Sequence, residues 1–163
     1  MEIRLALDED YDEIFEIYWE NVKSVFPVNI PNKAAFKMDF EVYFKMRKGV
    51  FNYWVAIDEN NILGWHSLNP ISHHPLKTEW MAETSIYVKN NFRNQSIGSK
   101  LLKYVLTISK KHPHLYLIIG WVSKTNESSV KMLKKAGAVV LSEIESSKKI
   151  KVKNNKTLVA FYL

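Results

Sequence analysis

Residues Met81-Ala82-Glu83-Thr84-Ser85-Ile86-Tyr87-Val88 read as a β-strand, being rich in β-branched and aromatic types. A few residues later the apolar spacing becomes helical, with Ile97, Leu101, Leu102, Val105 and Ile108 on one stripe. Leu115-Tyr116-Leu117-Ile118-Ile119-Gly120-Trp121-Val122 then reads as a largely buried strand, of the kind found in a sheet interior. A strand that feeds a helix and then a second apolar strand commits this part of the chain to an α/β layer arrangement. The joining loop, Arg93-Asn94-Gln95-Ser96-Ile97-Gly98, opens directly onto the helix. The first N–H groups of a helix lack intrahelical partners and sit at the positive end of its dipole, so they suit a phosphate. Arg93 adds a planar cation matched to phosphate oxygens. The competing reading is an ordinary strand-to-helix turn with a solvated arginine.

The 163 residues, 47% of them hydrophobic, suffice for one substantial core, so a single domain over residues 1–163 is expected. No apolar run approaches the roughly 20 residues that span a bilayer, and Met1-Glu2-Ile3-Arg4 does not begin a secretion signal. A cytoplasmic protein without a membrane partner is the expectation. The absence of cysteine removes thiol nucleophiles, thiolate metal sites and disulfides, which suits that compartment. The net charge of +6 favours an anionic partner. Its densest cluster, Lys148, Lys149, Lys151, Lys153 and Lys156, reads more readily as a solvated basic hairpin than as a nucleic-acid surface. No nucleic-acid partner is expected.

Along the rest of the chain strands and helices interleave without repeats or low-complexity linkers. Ile3 to Ala6 reads as a strand, and Asp8 or Asp10 can cap a helix with apolar face Ile14, Ile17, Tyr18 and Val22. Pro27 and Pro31 break the chain. A second helix, ending near Gly49, carries Phe36, Phe40, Tyr43 and Phe44 on one stripe and Met38, Val42 and Met46 on another. Two apolar stripes imply cover on both sides, either core below and ligand above or burial against a partner subunit in a homodimer. Period-two alternation through Phe51, Tyr53, Val55 and Ile57, the turn Asp58-Glu59-Asn60-Asn61, and Ile62 to Leu68 predict an antiparallel hairpin. Thr125 or Asn126 can cap a later helix with Val130, Met132 and Leu133 inside and Gly137 as its stop. Ala138 to Ile144 and Leu158 to Leu163 read as closing strands, with Lys153-Asn154-Asn155-Lys156 as the turn before the last one.

The order of elements and three separated motifs resemble the GCN5-related N-acetyltransferase superfamily, over nearly the whole chain. That family's loop reads Arg/Gln-x-x-Gly-x-Gly/Ala, and Arg93, Ser96 and Gly98 stand at its defining positions, with Ser96 in place of the middle glycine. Asn126-Glu127-Ser128-Ser129-Val130, followed by Lys134-Lys135-Ala136-Gly137-Ala138, is similar to a segment of the phosphinothricin acetyltransferase-like branch, as is Ala82-Glu83-Thr84-Ser85-Ile86-Tyr87-Val88. The resemblance implies a mixed α/β (α+β) fold, with a mostly antiparallel twisted sheet of about seven strands flanked by about four helices.

It further implies acetyl-CoA as the acetyl donor. Its pantetheine arm would run along Ile86, Tyr87 and Val88, and its pyrophosphate would meet the Arg93 cation and N–H groups of Asn94, Gln95, Ser96, Ile97, Gly98 and Ser99. Asn126 and Ser129 would also contact the cofactor, although capping a helix is an equal reading of Asn126. Glu83 stands where this branch has its general base, and an unpaired carboxylate among apolar neighbours carries an energetic penalty that argues for a purpose. Backbone N–H groups near Ile86 to Val88 would serve the oxyanion. The usual leaving-group acid is missing, because Leu133 holds its position. A thiolate, whose thiol has pKa about 8.5, tolerates that loss. Trp65, His66 and Trp80 would line the acceptor side, together with Trp54, His73 and His74, and the acceptor would be a small amino-acid-like amine. His73-His74 and His112-x-His114 lack a third ligand at useful spacing, so no metal is expected. The alternative is an acyl-CoA-binding relative without turnover, motivated by Ser96 and Leu133.

Overall fold

The computed structural model describes residues 1–23, 32–71, 79–145 and 155–163. Pro27, Pro31, His73, His74, Lys148, Lys149, Lys151 and Lys153 lie outside the described residues, as does Asn154 of the turn expected before the last strand. The elements in chain order are β1 (Glu2–Leu5), α1 (Tyr11–Val22), α2 (Lys33–Lys45), β2 (Tyr53–Asp58), β3 (Asn61–Pro70), β4 (Met81–Val88), α3 (Ile97–Ser109), β5 (Leu117–Ser123), α4 (Glu127–Lys135), β6 (Val139–Ile144) and β7 (Lys156–Tyr162). The seven strands form a mixed sheet in the order β1-β2-β3-β4-β5-β7-β6. β4 and β5 run parallel, while β1–β2, β2–β3, β5–β7 and β6–β7 are antiparallel. The expected β2–β3 hairpin forms because Glu59 (φ 45°) and Asn60 (φ 70°) supply the two left-handed residues of a tight primed turn.

Contacts gather into two compact units. The first comprises Met1–Leu68 and Ile86–Val105, the second Asn69–Ser85 and Leu106–Leu163. In the first, alternation along the strands makes two apolar layers. Ile14, Ile17, Phe44, Tyr53, Val55 and Trp65 form one, with Tyr18, Phe40 and Tyr87 packed on it. Ala56, Leu63, Ile97 and Leu101 form the other, joined by Val88 and Phe92. Arg4 donates to Asp10 through two nitrogens, at 2.6 and 3.0 Å, and the Leu7 N–H donates to the same carboxylate at 2.7 Å. Asp10 is therefore tied back to β1, and although it is the N-cap residue of α1 its side chain makes no capping hydrogen bond to that helix.

Of the two sides of α2 expected to be covered, the chain itself covers one, leaving the other for the ligand or partner subunit of the expectation. Phe44 is buried, but Met38, Val42, Tyr43 and Met46 are 58–69% exposed, so Tyr43 leaves the inner stripe and the outer stripe meets solvent. Asn32 caps this helix by accepting from the Ala34 N–H.

In the second unit the register sorts side chains onto two faces. Ala82, Ile118, Val122, Val159 and Phe161 share one face and are buried. Register places Gly120 on this face, where a Cβ would come 2.9 Å from Thr84 Cγ2. Trp121 points the other way and is exposed. β5 is thus interior to the sheet yet covered on one face, which corrects the reading of a largely buried strand. Its unbroken apolar run resembles a two-sided core strand although only alternate residues are buried. β6 is exposed along its whole length.

Candidate active site

The expected phosphate loop belongs to the first unit. After a short 3₁₀ turn at Asn90–Phe92, Arg93 is extended, Asn94 (φ 64°) and Ser96 (φ 60°) are left-handed, and α3 begins at Ile97. Ile97 is buried against Ala56, Leu63 and Leu101, which anchors the helix start from below. The Lys100 N–H donates to Ser96 O at 3.0 Å. Those of Ile97, Gly98 and Ser99 have no hydrogen bond among the described residues. The first turn carries no acidic side chain. Open donors at a helix start with no competing carboxylate fit a pyrophosphate.

Ser96 departs from the family pattern at a residue whose backbone explains the glycine, since a left-handed φ strains any residue with a Cβ by about 1 kcal/mol. Ser96→Gly is expected to raise the melting temperature by about 2–4 °C, as that penalty predicts for a domain of this size. It should also tighten acetyl-CoA severalfold by isothermal calorimetry. Unchanged values in both measurements would show that the loop is unstrained.

Arg93 and Val88 share a partner that the sequence did not single out. Asn21 on α1 accepts from the Arg93 guanidinium, and its own amide donates to Val88 O at 3.2 Å and Ile17 O at 2.7 Å. It thereby ties the end of β4 to the loop. No spacing rule marks a lone asparagine near a helix end for such a role. Asn94 and Gln95 are exposed, and Gln95 Nε2 donates to Asn91 O at 3.4 Å.

Two expected acceptor residues are corrected. Trp65 and His66 are each 1% exposed. The Trp65 indole donates to Ile14 O at 2.9 Å and packs against Tyr87 and Tyr53, so it is core. Burial drives the His66 imidazole down to about 3, which keeps it neutral, with Nδ1 facing Leu101 O at 3.4 Å. The Tyr87 ring lies edge-on to Tyr18 and is part of the same aromatic layer.

The second unit holds Glu83. The parallel β4–β5 ladder pairs Met81, Ala82 and Glu83 with Leu117, Ile118 and Ile119 and stops there, while both strands run on. Glu83 is half-buried, and its carboxylate makes no hydrogen bond or ion pair among the described residues. Burial raises its pKa above the usual carboxylate range, and the Lys156 charge pulls it partly back. Trp80, half-exposed just before β4, lies edge-on to Tyr116, and its carbonyl accepts from Tyr116 and Leu117 N–H groups. Asn126 caps α4, its Oδ1 accepting from the Ser129 N–H at 3.2 Å and Ser128 Oγ at 3.0 Å. Its Nδ2 makes no hydrogen bond among the described residues. Leu133 is buried and supplies no proton.

The first unit thus carries a loop whose open N–H groups at a helix start suit a phosphate, and the second carries a carboxylate beside the point where two parallel strands cease to pair. The Acetyltransferase (GNAT) family model matches residues 10–138, and the chain belongs to that family. It is an acetyl-CoA-dependent N-acetyltransferase. A Bacillus subtilis (strain 168) protein, YwnH, provisionally named a phosphinothricin acetyltransferase, is 28% identical over 140 residues, 84% of this chain and 83% of its own length. A phosphinothricin acetyltransferase from Sinorhizobium meliloti, solved with acetyl-CoA, has a TM-score of 0.79 at 20% identity over 99% of this chain and 88% of its own. A ribosomal-protein-alanine N-acetyltransferase from Brucella melitensis has a TM-score of 0.80 at 18% identity, with 100% of both chains covered. Acetyl-CoA is the donor.

Proposed function

We propose that the protein acetylates the primary amine of a small amino-acid-like molecule by direct attack, with Glu83 as general base. The observation that supports this most is Glu83 itself: a half-buried carboxylate with no ion pair, its pKa raised by burial, has the proton affinity to deprotonate an ammonium directly or through one water. The neutral nitrogen forms a bond to the thioester carbonyl carbon, the carbon–sulfur bond breaks, and the thiolate departs. The proton from nitrogen goes to Glu83 and then to solvent. Backbone N–H groups from Ile86 to Val88 are the proposed oxyanion donors. The open N–H groups of Ile97, Gly98 and Ser99, with Arg93, Asn94, Gln95 and Ser96, are the proposed pyrophosphate cradle. Asn126, through its open Nδ2, and Ser129 are proposed to meet the pantetheine arm. Leu133 holds the position of the usual leaving-group acid, a loss that a thiolate tolerates.

A thiol-release assay over a panel of small amines tests this reading. Release with an amino acid or a close analogue is the expected result. Calorimetric binding of acetyl-CoA with release from no amine would overturn it in favour of a binding protein without turnover.

A cytoplasmic homodimer is part of the same proposal, supported by the exposed Met38, Val42 and Met46 stripe on α2. Among the described residues no helix is long and apolar enough to cross a membrane. The dimer predicts a doubled mass by light scattering, reduced to that of the monomer by Val42→Glu.

A further inference from the structure

The second unit's sheet has one buried face and one partly open face, and on the latter, among the described residues, the register aligns Lys156 with Glu83. Glu83 pairs with Ile119 on β5 and, one strand on, Ala160 on β7. Two residues further along β5, Trp121 pairs with Leu158, and two further again Ser123 pairs with Lys156. Paired and alternate residues share a face, so Glu83, Ile119, Trp121, Leu158 and Lys156 lie on a diagonal across one side of the sheet. Trp121 is 41% exposed, Lys156 is exposed and Glu83 is half-buried. Neither the Glu83 carboxylate nor the Lys156 ammonium has a hydrogen bond or ion pair among the described residues.

The face therefore presents a carboxylate at one end and an ammonium at the other, which act on each other electrostatically without closing into an ion pair, and an indole with aliphatic neighbours between them. Two strand spacings and four residue rises separate the two Cα atoms by about 16 Å, too far for the side chains to close on each other. Two opposite charges left open across an apolar strip complement a molecule bearing both charges at its ends. We propose that Lys156 and Trp121 are specificity-determining residues for the acceptor, which is a primary amine joined to an anionic group through a spacer of several atoms. Lys156 receives the anion, Trp121 supports the spacer, and the amine is delivered to Glu83. The inference rests on the acetyltransferase reading and adds to it the second charge of the acceptor and the side chain that reads it.

The test compares acceptors in acid and amide pairs, such as 6-aminohexanoate with its amide and glutamate with glutamine, in the wild type and in Lys156→Met. The wild type should favour the acid of at least one pair by about tenfold in kcat/KM, the size expected of one charge-assisted hydrogen bond. Lys156→Met should erase that preference by raising the KM of the acid and not of the amide, while any change in kcat, through the Glu83 pKa that the Lys156 charge lowers, should be shared by acid and amide. Lys156 is exposed at the start of β7, so the variant should fold with an unaltered melting temperature. Trp121→Ala should raise KM for both members of a pair, because the spacer is common to them. An acid-to-amide ratio unaffected by Lys156→Met, or a wild type that prefers the amides or acetylates only amines without an anion, would overturn the assignment while the acetyltransferase reading stands. Thiol release with no amine at all would overturn both.

Discussion

Glu83→Gln is expected to lower kcat/KM by about a hundredfold or more, the usual contribution of a positioned general base, while the calorimetric affinity for acetyl-CoA stays within twofold. The amide keeps the size and much of the polarity of the carboxylate but cannot accept the ammonium proton, so the loss belongs to proton transfer. The pH profile separates this from a structural effect. Burial raises the Glu83 pKa, with Lys156 opposing it, so wild-type kcat/KM should climb with pH through a midpoint above the ordinary carboxylate range. That limb should vanish in the variant, and its survival would remove Glu83 as the base. Stability should move the opposite way. A carboxyl whose folded pKa is raised contributes stability that is fully present below its unfolded pKa and is lost as pH rises through the folded one. At neutral pH the wild type holds a partly desolvated charge that the variant lacks. Glu83→Gln should therefore melt higher than wild type at pH 7, and the difference should shrink as the pH falls below the usual carboxylate range.

Such opposed effects on activity and stability are a reason the carboxylate was visible in the sequence at all, as a charged residue in a strand whose neighbours are apolar. The strands and helices were legible for a related reason. Period-two and helical spacings, the Asp58 to Asn61 turn and the Gly137 stop act locally, and local signals survive folding. Side-chain destinations depend on what the fold brings near, and there the reading failed. Trp65 and His66 sit on a strand, where polar-edged aromatics suit a pocket, but their burial comes from α1, α2 and α3, which spacing along β3 does not encode. Asn21 joins Val88 and Arg93 across a long stretch of chain, and no periodicity marks such a contact. Ser96 is the intermediate case. Its departure from the family glycine was visible, while the reason for that glycine, a left-handed φ, is a property of the folded loop. Lys156 was counted among surface lysines, and only strand register aligns it with Glu83.

The largest loss of stability is expected at Gly64, where the absence of a side chain holds β3 and the end of β4 together. A Cβ at this position would lie 2.7 Å from Tyr87 O, 3.1 Å from Val88 Cα and 3.2 Å from Val88 Cγ2. Two of these three atoms are backbone, so no rotamer change relieves the clash and the strands must part. Overpacking of this kind costs about 1–3 kcal/mol, and contact with main chain puts Gly64→Ala toward the upper end. At about 2–4 °C per kcal/mol for a chain of this length, the melting temperature should fall by roughly 5–10 °C. The displacement acts where β4 passes into the loop, because the Lys89 N–H donates to Leu63 O at 3.0 Å and Val88 packs with Ile97 and Leu101 of α3. Acetyl-CoA affinity should fall with stability, by about tenfold in calorimetry under conditions where the variant remains folded. Gly137→Ala is the control. Its φ of 96° strains an alanine, but a Cβ there meets nothing within 4 Å. That variant should lose only the conformational penalty of about 1 kcal/mol and keep wild-type acetyl-CoA affinity. Equal losses of affinity in the two variants would mean that general destabilisation, and not the position of Tyr87 and Val88, sets cofactor binding.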